Sequence, residues 1–450
     1  MFPAHGHYNG SVALSQLLKK SGHSIYYACT GEFQQKLNTL NINSFVIDPF
    51  IIPPYKIELK EKGTIRFLIE SIAGIFNDKK PEHIEDRIKV YDEMVVKIKP
   101  DLIILDEHHA YKSIFYWKYS IPQVTIQTAL SPDYAPSIPP CHSTHVPQDS
   151  VASRLYISHL WQKHKIISGI EVFLNKLLSL GKNSGKYYSI FAKKYSFPFK
   201  QELITPRSLG IRFRHIPSMV IPPEAFDFPG TQNRNLFFVG PIHTKNVSKQ
   251  IIESRLKSVI DEVSNEKIRN PHIKLIYCSL GTVTGNHLKI CTRFFNSIAQ
   301  VCTNNPDFRI ILSVGTSFNV SDITSIPNNL YVFDNVPQLA LLENCDIIIN
   351  HGGINTIVEC VMAEKPMVVY PLSLEWDQNG CAARVIFHNI GVKGVIRRAR
   401  PKSIETLLKK VIDKEDFYIK NVRELKSKFK DKSSYTLELI DRIIKEGKRC

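Results

Sequence analysis

The chain has 450 residues, more than one hydrophobic core sustains, so about two or three domains are expected. Hydrophobic residues make up 43% and charged residues 22%, which excludes a disordered, collagen-like or coiled-coil protein. The 58 Lys and Arg against 42 Asp and Glu leave +16, a balance that points to anionic partners such as nucleic acid, a membrane surface or phosphorylated ligands.

Taken from the start, the opening MFPAHGHYNG has neither the basic nor the apolar region of a signal peptide. His5 and His7 are expected in a loop, and SVALSQLLKK from Ser11 in a first helix stopped at Gly22. A strand ahead of that helix is either confined to Met1–Pro3 or lies upstream. SIYYAC (Ser24–Cys29) and SFVIDPF (Ser44–Phe50) read as strands. EHIEDRIKVYDEMVVKI sets Ile84, Ile88, Tyr91, Val95 and Ile98 on one helical face. LIILD (Leu102–Asp106) and QVTIQ from Gln123 are short apolar runs, as buried parallel strands should be.

Ser150 to Lys200 is helical in pattern and basic, with Glu171 its single acid. Its plain reading is a solvated surface. Its apolar residues (Leu155, Ile157, Leu160, Trp161, Ile166, Ile167, Ile170, Val172, Phe173 and Leu174) also suit an acceptor lid or a peripheral membrane patch. IPPEAFDFPGTQNRNLFFVGP has the Pro, Gly, Asn and Asp content of a crossing linker. A second strand series follows: KLIYCS, RIILSV, LYVFD, DIIIN and PMVVYP. From Ser403 the chain is helical and charged.

This alternation predicts an α/β protein of two doubly wound, Rossmann-like domains facing across a cleft. The boundaries are set at 1–220 for the first domain, 221–245 for the linker and 246–430 for the second. A last helix, 431–450, would pack back on the first domain. Nine scattered cysteines without a CxxC spacing fit a reduced, cytoplasmic protein and argue against a zinc site. No apolar run reaches the length of a spanning helix. RRARPK at Arg397 reads as a strand–helix loop, and no nucleic-acid motif is found.

The chemistry concentrates in HGGINTIVECVMAEKPMVVYPLSLEWDQNGCAARV, His351–Val385. Gly352 and Gly353 permit a tight turn. Asn355 and Thr356 then open a helix whose free amides suit a phosphate, with His351 a further donor. Glu359 follows Asn355 by one turn, within reach of a ribose hydroxyl pair. The plain structural alternative is a strand–turn–helix with ordinary caps.

The longer run resembles the donor signature of the family 1 UDP-glycosyltransferases, in the bacterial macrolide-glycosyltransferase-like branch with the GT-B fold. PAHGHYN is similar to the acceptor-side loop of that family, and PDLIILDEHHA to the strand that ends in its supporting Asp. FDFPGTQNRNLFFVGP resembles the interdomain linker. YCSLGTV and NVPQLALLENCDIIINHGG resemble the phosphate and base segments. The resemblance implies His7 as the general base and Asp106 as the carboxylate that fixes its tautomer. His5 is the rival base, and His108 and His109 are expected in a first helical turn.

The resemblance also places donor-binding residues. Thr128 would touch the sugar, and Ser279 and Thr282 the phosphates. The Val336 backbone and Gln338 would read the base. His351, Gly353, Asn355, Thr356 and Glu359 would hold diphosphate and ribose, and Asp377 and Gln378 the sugar hydroxyls. Two departures stand out. Asn335 replaces a base-stacking Trp, leaving UDP and dTDP both open, and PLSLEWDQ is long, so Trp376 is a candidate pocket wall. There is no Asp-x-Asp motif, so neither a metal nor another cofactor is expected. The implied activity is inverting transfer of a hexose, with glucose favoured, from a UDP-sugar to a hydroxyl of a small lipophilic acceptor. A nucleotide-sugar epimerase, or a non-catalytic nucleotide-sugar or lipid binder, is the alternative.

Overall fold

The computed structural model describes residues 1–2, 5–48, 50–52, 81–178, 184–205, 207–208, 210–230, 235–242, 253–281, 287–373 and 376–447. The chain order is α1 (His5–Lys20), β1 (Tyr26–Cys29), α2 (Gly31–Thr39), β2 (Asn43–Val46), α3 (Pro81–Ile98), β3 (Ile103–Asp106), β4 (Gln123–Gln127), α4 (Val151–Leu178), α5 (Ser184–Lys194), β5 (Ser218–Val220) and β6 (Leu236–Phe238). There follow α6 (Ser254–Arg269), β7 (Lys274–Ser279), α7 (Leu288–Asn304), β8 (Phe308–Ser313), β9 (Leu330–Phe333), α8 (Gln338–Leu342), β10 (Ile347–Asn350), α9 (Ile354–Met362), β11 (Met367–Val369), α10 (Gln378–Phe387), β12 (Gly391–Lys393), α11 (Pro401–Ile412), α12 (Glu415–Ser427) and α13 (Ser433–Gly447).

The C-terminal sheet has six parallel strands in the order β12-β11-β10-β7-β8-β9. Its strands are nearly continuous apolar runs because helices cover both faces. One face packs Ile276, Phe294, Phe295, Ile298 and Ile404. The other packs Val263, Tyr277, Ile357, Val361 and Val422. Chain order reverses between β7 and β10, which puts the ligand crevice at the C-terminal ends of those two strands. The register sets Asn350 opposite Ser279, so both crevice lips are at one level.

The N-terminal half is also parallel but divided. Among the described residues β1 pairs only with β2, while β3-β4-β5-β6 form a separate four-stranded sheet. A cavity of about 700 Å³ lies between the facing edges, lined by Tyr26–Ala28 on one side and Leu102–Asp106 on the other. It occupies the position of the central strand in a doubly wound sheet. Of the strand expected at Met1–Pro3, Met1 and Phe2 take no strand conformation and Pro3 is outside the described residues. The Met1 amino group does reach the Ala28 carbonyl of β1 at 3.4 Å.

Three sequence expectations need correction. The first helix begins at His5, not Ser11, so His7 stands on a helix and not in a loop. The stretch 221–245 is not linker throughout, because Leu236–Phe238 pair with β5 as the edge strand of the N-terminal sheet. The boundary expected at 245/246 lies outside the described residues. The second strand is shorter than Ser44–Phe50, ending at Val46. The final helix does return to the first domain: Leu439 and Ile440 of α13 join Leu14, Val124, Met219 and Val239 in one apolar cluster. No described helix is long and apolar enough to cross a membrane.

Candidate active site

On the N-terminal side the site is built around Asp106, the last residue of β3. Its buried carboxylate accepts the His108 amide at 2.9 Å and the His7 Nδ1–H at 2.9 Å. Burial alone would raise its pKa; the His7 imidazole and the bonds from His108 and His7 nevertheless hold it well below the carboxylate range. Thr128 Oγ1, just past β4, lies 3.0 Å from the same nitrogen. Nδ1 thus carries the proton and Nε2 keeps the lone pair.

His108 stands edge-on to His7 with ring centroids 4.7 Å apart. Burial disfavours its cation, but Asp106 raises its pKa. Trp376, from the other domain, covers it at 5.4 Å. His109 is buried, and that burial together with Lys112 keeps it neutral. The turn carrying both histidines is braced by ion pairs of Arg207 with Glu107 and Asp133, and of Arg212 with Asp133. His7, Asp106 and His108 also bring ligand atoms within 4.8 Å of one another, a trio with the composition of a cation site.

On the C-terminal side Ser279, His351 and the start of α9 meet at the crevice. Gly281 and Gly352 adopt φ of +74° and +87°, a region that suits glycine. A Cβ on Gly281 would stand 2.5 Å from His351 Cε1, and one on Gly353 2.8 Å from its Nε2. The His351 ring is therefore clamped between two glycines. Loss of water around it lowers its pKa to about 4, so it offers a neutral N–H.

The cap of α9 is Gly353, without a side-chain cap. Asn355 and Thr356 therefore do not cap this helix as expected. Asn355 Nδ2 donates to the Gly6 carbonyl of α1 at 2.9 Å, and Thr356 Oγ1 accepts from Gln338 Nε2 at 3.3 Å. Glu359 accepts from the same Gln338 amide. Burial raises the Glu359 pKa, opposed by Gln338 and by Lys36 of the N-terminal half. Val336 is half-buried beside Gln338, and Asn335 is exposed.

The two halves are joined through Asp377, a residue expected to hold sugar. Asp377 Oδ2 accepts the Leu130 amide across the cleft at 3.0 Å. Gln378 Oε1 accepts the Leu372 and Ser373 amides at 2.8 and 2.9 Å. Gly380 has no room for a side chain, since a Cβ would meet the Cys141 carbonyl at 2.0 Å. Thr282 and the His5 side chain lie outside the described residues. The remaining expected residues gather at one cleft, Thr128 with the dyad and Ser279, His351, Gly353, Asn355 and Thr356 opposite. Sequence reasoning missed Lys36, Leu130 and the Arg207–Arg212 brace. None of these carries a local pattern; Leu130 and the two arginines act through partners at least 74 residues away, and Lys36 acts on Glu359 through its charge.

Two doubly wound halves, with a His–Asp pair on one and an amide-rich helix start on the other, make up the architecture of the GT-B fold. Residues 299–435 match the family model described as "Erythromycin biosynthesis protein CIII-like, C-terminal domain". The chain is similar to the "Uncharacterized UDP-glucosyltransferase YojK" of Bacillus subtilis, 23% identical over 91% of this chain and 87% of that protein. It is 26% identical to the "NDP-glycosyltransferase YjiC" of the same organism over 87% of this chain and 82% of the relative. In fold it matches the solved glycotransferase of kitacinnamycin with a TM-score of 0.66 at 17% identity, covering 98% of this chain and 96% of that one. Glycosyltransferase VinC, solved in complex with dTDP, follows with a TM-score of 0.59 at 17% identity over 99% and 98% of the two chains. These likenesses support a family 1 GT-B glycosyltransferase, with the family model matched over residues 299–435.

Proposed function

We propose that the protein transfers a hexosyl group, with glucose the favoured sugar, from a UDP-sugar to a hydroxyl of a small lipophilic acceptor. The reaction inverts the anomeric centre and uses no metal. The observation that carries the reading is the His7–Asp106 hydrogen bond at 2.9 Å, on the lip facing the start of α9. Names of relatives such as YojK support the UDP-glucose donor.

In this mechanism His7 Nε2 takes the acceptor proton as the acceptor oxygen attacks the anomeric carbon. The bond from that carbon to the diphosphate oxygen breaks, and the diphosphate leaves with the electron pair. Asp106 holds the tautomer and stabilises the imidazolium. Developing charge on the leaving group falls on the α9 amides, Ser279 and the neutral His351 donor. An oriented donor of this sort contributes roughly 2.7–4 kcal/mol in a transition state. Asp377, Gln378 and Thr128 are the proposed sugar contacts, and Glu359 the ribose contact. Asp377 and Glu359 would have to exchange their present partners, Leu130 and Gln338, for substrate hydroxyls. A lipid-facing surface on the N-terminal half would suit a lipophilic acceptor.

The test is calorimetric titration with UDP, dTDP and UDP-glucose, with and without EDTA, followed by an acceptor screen by mass spectrometry. EDTA-insensitive UDP binding and a glycosylated product support the reading. Absence of nucleotide binding, or activity lost with EDTA and restored by a divalent cation, refutes it in its donor or its metal-free form respectively.

A further inference from the structure

Helix α4 carries apolar residues on both its faces. Its inner face is already satisfied: Ile157 and Trp161 are buried, and Trp161 Nε1 donates to the Ile138 carbonyl at 2.9 Å. His164 Nε2 meets the Arg207 carbonyl at 3.0 Å. The opposite face points away from the molecule. There Leu155, Ile166, Ile170 and Phe173 fall on one line at helical spacing and are 66%, 63%, 53% and 65% exposed. The 18 residue steps from Leu155 to Phe173 cover about 27 Å of helix. Gly169 leaves a notch between Lys165 and Phe173, floored by Ile166 and Ile170.

Charge decides what covers this stripe. Arg154, Lys163, Lys165 and Lys176 are exposed along its flanks, and Glu171 is the single acid of the helix. Two copies of the chain meeting stripe to stripe would press these bases together, in a protein already carrying +16. An anionic lipid surface satisfies both features at once, taking the apolar side chains below the headgroups and the bases among them.

We infer that α4 is a peripheral docking helix for an anionic membrane, lying flat with Leu155, Ile166, Ile170 and Phe173 inserted. The placement has a functional consequence. The loop under α4 carries Ile138, and Cys141 of the same loop packs on Gly380 beside the cleft. Docking through α4 would therefore hold the acceptor side of the cleft close to the lipids in which a lipophilic acceptor dissolves. The consequence rests on the acceptor proposed above; the docking itself does not.

The experiment is cosedimentation of the full chain with vesicles of phosphatidylglycerol or of phosphatidylcholine, without donor or acceptor. It is read beside UDP binding and the sedimentation coefficient of the free protein. The expected result is at least tenfold stronger partition onto phosphatidylglycerol, falling as salt rises. Partition should drop at least tenfold further in the Ile166→Ser/Ile170→Ser/Phe173→Ser variant, with unchanged UDP affinity and melting temperature. Equal binding of variant and wild type would assign the effect to diffuse charge and overturn the inference. So would no binding at low salt, or a wild-type dimer that the triple substitution dissociates. A protein that docks but binds no nucleotide would refute the donor reading and leave the docking helix standing.

Discussion

The two sheets follow the same winding rule and end in different states. The C-terminal sheet is continuous through its switch point, with β7 and β10 paired side by side and an apolar cluster on each face. Among the described residues the N-terminal sheet is open at the corresponding place, where about 700 Å³ separates β1 from β3. The donor lips, Ser279 and His351, are thus fixed by adjacent strands of one ladder. The proposed catalytic pair bridges the opening: His7 rises from α1 on one side and Asp106 ends β3 on the other. The donor half owes its geometry to backbone pairing, whereas the dyad depends on side-chain bonds among His7, Asp106 and Thr128. Binding and turnover should therefore fail separately.

The largest separation is expected from His7→Ala. Loss of a positioned base costs roughly 10²–10⁴-fold in kcat. UDP affinity by calorimetry should change less than twofold, because His7 lies outside the donor lips. A parallel loss of UDP binding would show that the two halves do not act separately and would remove His7 from the role of base. Asp106→Asn should approach the same kcat, since an amide cannot fix the tautomer as a carboxylate does.

The converse break is Gly281→Ala. The new Cβ would stand 2.5 Å from His351 and adopt a φ of +74°. We expect UDP to bind at least about tenfold more weakly, a change of roughly 1.4 kcal/mol. Glu359→Ala should weaken UDP to a similar extent. Donor affinity unchanged in both variants would place the nucleotide elsewhere.

Acid pH should distinguish the halves more gently. His351 titrates near 4 in the folded protein, below the ordinary histidine value near 6.5. The unfolded chain binds its proton first as pH falls, so the stability His351 contributes is complete above about 6.5 and is lost between there and about 4. The Asp106 carboxyl is also lowered, so its contribution is complete above the ordinary carboxylate range and is lost only at pH values below that range. Denaturant midpoints measured from pH 7 to 4 should therefore fall less steeply in His351→Gln. Asp106→Asn should leave that slope intact above the carboxylate range. Identical slopes in wild type and His351→Gln would mean that the ring is not kept neutral by its surroundings.

How much was legible follows the same divide. The run from Asp346 to Glu359 is local: an apolar strand, two glycines and a helix within 14 residues, each step with its own pattern. Strand, turn and helix were read in their observed places, though the cap was not. Asn355 and Thr356 resemble caps in composition, yet Gly353 takes the turn and frees Asn355 to bond Gly6 of α1, 349 residues away. The start of α1 was misplaced because PAHGHYN carries no helical period. What draws His5–Gly10 into the helix is contact, with His7 on Asp106 and Gly10 against Thr128. β6 was hidden in a stretch whose Pro, Gly and Asn content reads as linker, though three residues, Leu236–Phe238, are enough to close the sheet edge. The α4 stripe showed in composition, but which of its apolar residues face outward is a property of packing.

The smallest expected effect addresses the opening itself. If the facing edges of β1 and β3 are competent to pair, a short apolar strand joined in front of Met1 should enter parallel to both. The Met1 nitrogen already stands 3.4 Å from the Ala28 carbonyl, so the first rung is in place. Such a strand would bury its side chains in the cavity and satisfy backbone groups along both edges. A gain of about 2 kcal/mol corresponds to roughly 4–8 °C for a domain of this size. Calorimetric scans should show that rise with UDP affinity unaltered, because the donor lips belong to the other sheet. A rise equalled by a strand of alternating Gly and Ser would assign it to the tether alone. No rise with the apolar strand would mean that the two edges are held too far apart to share one strand.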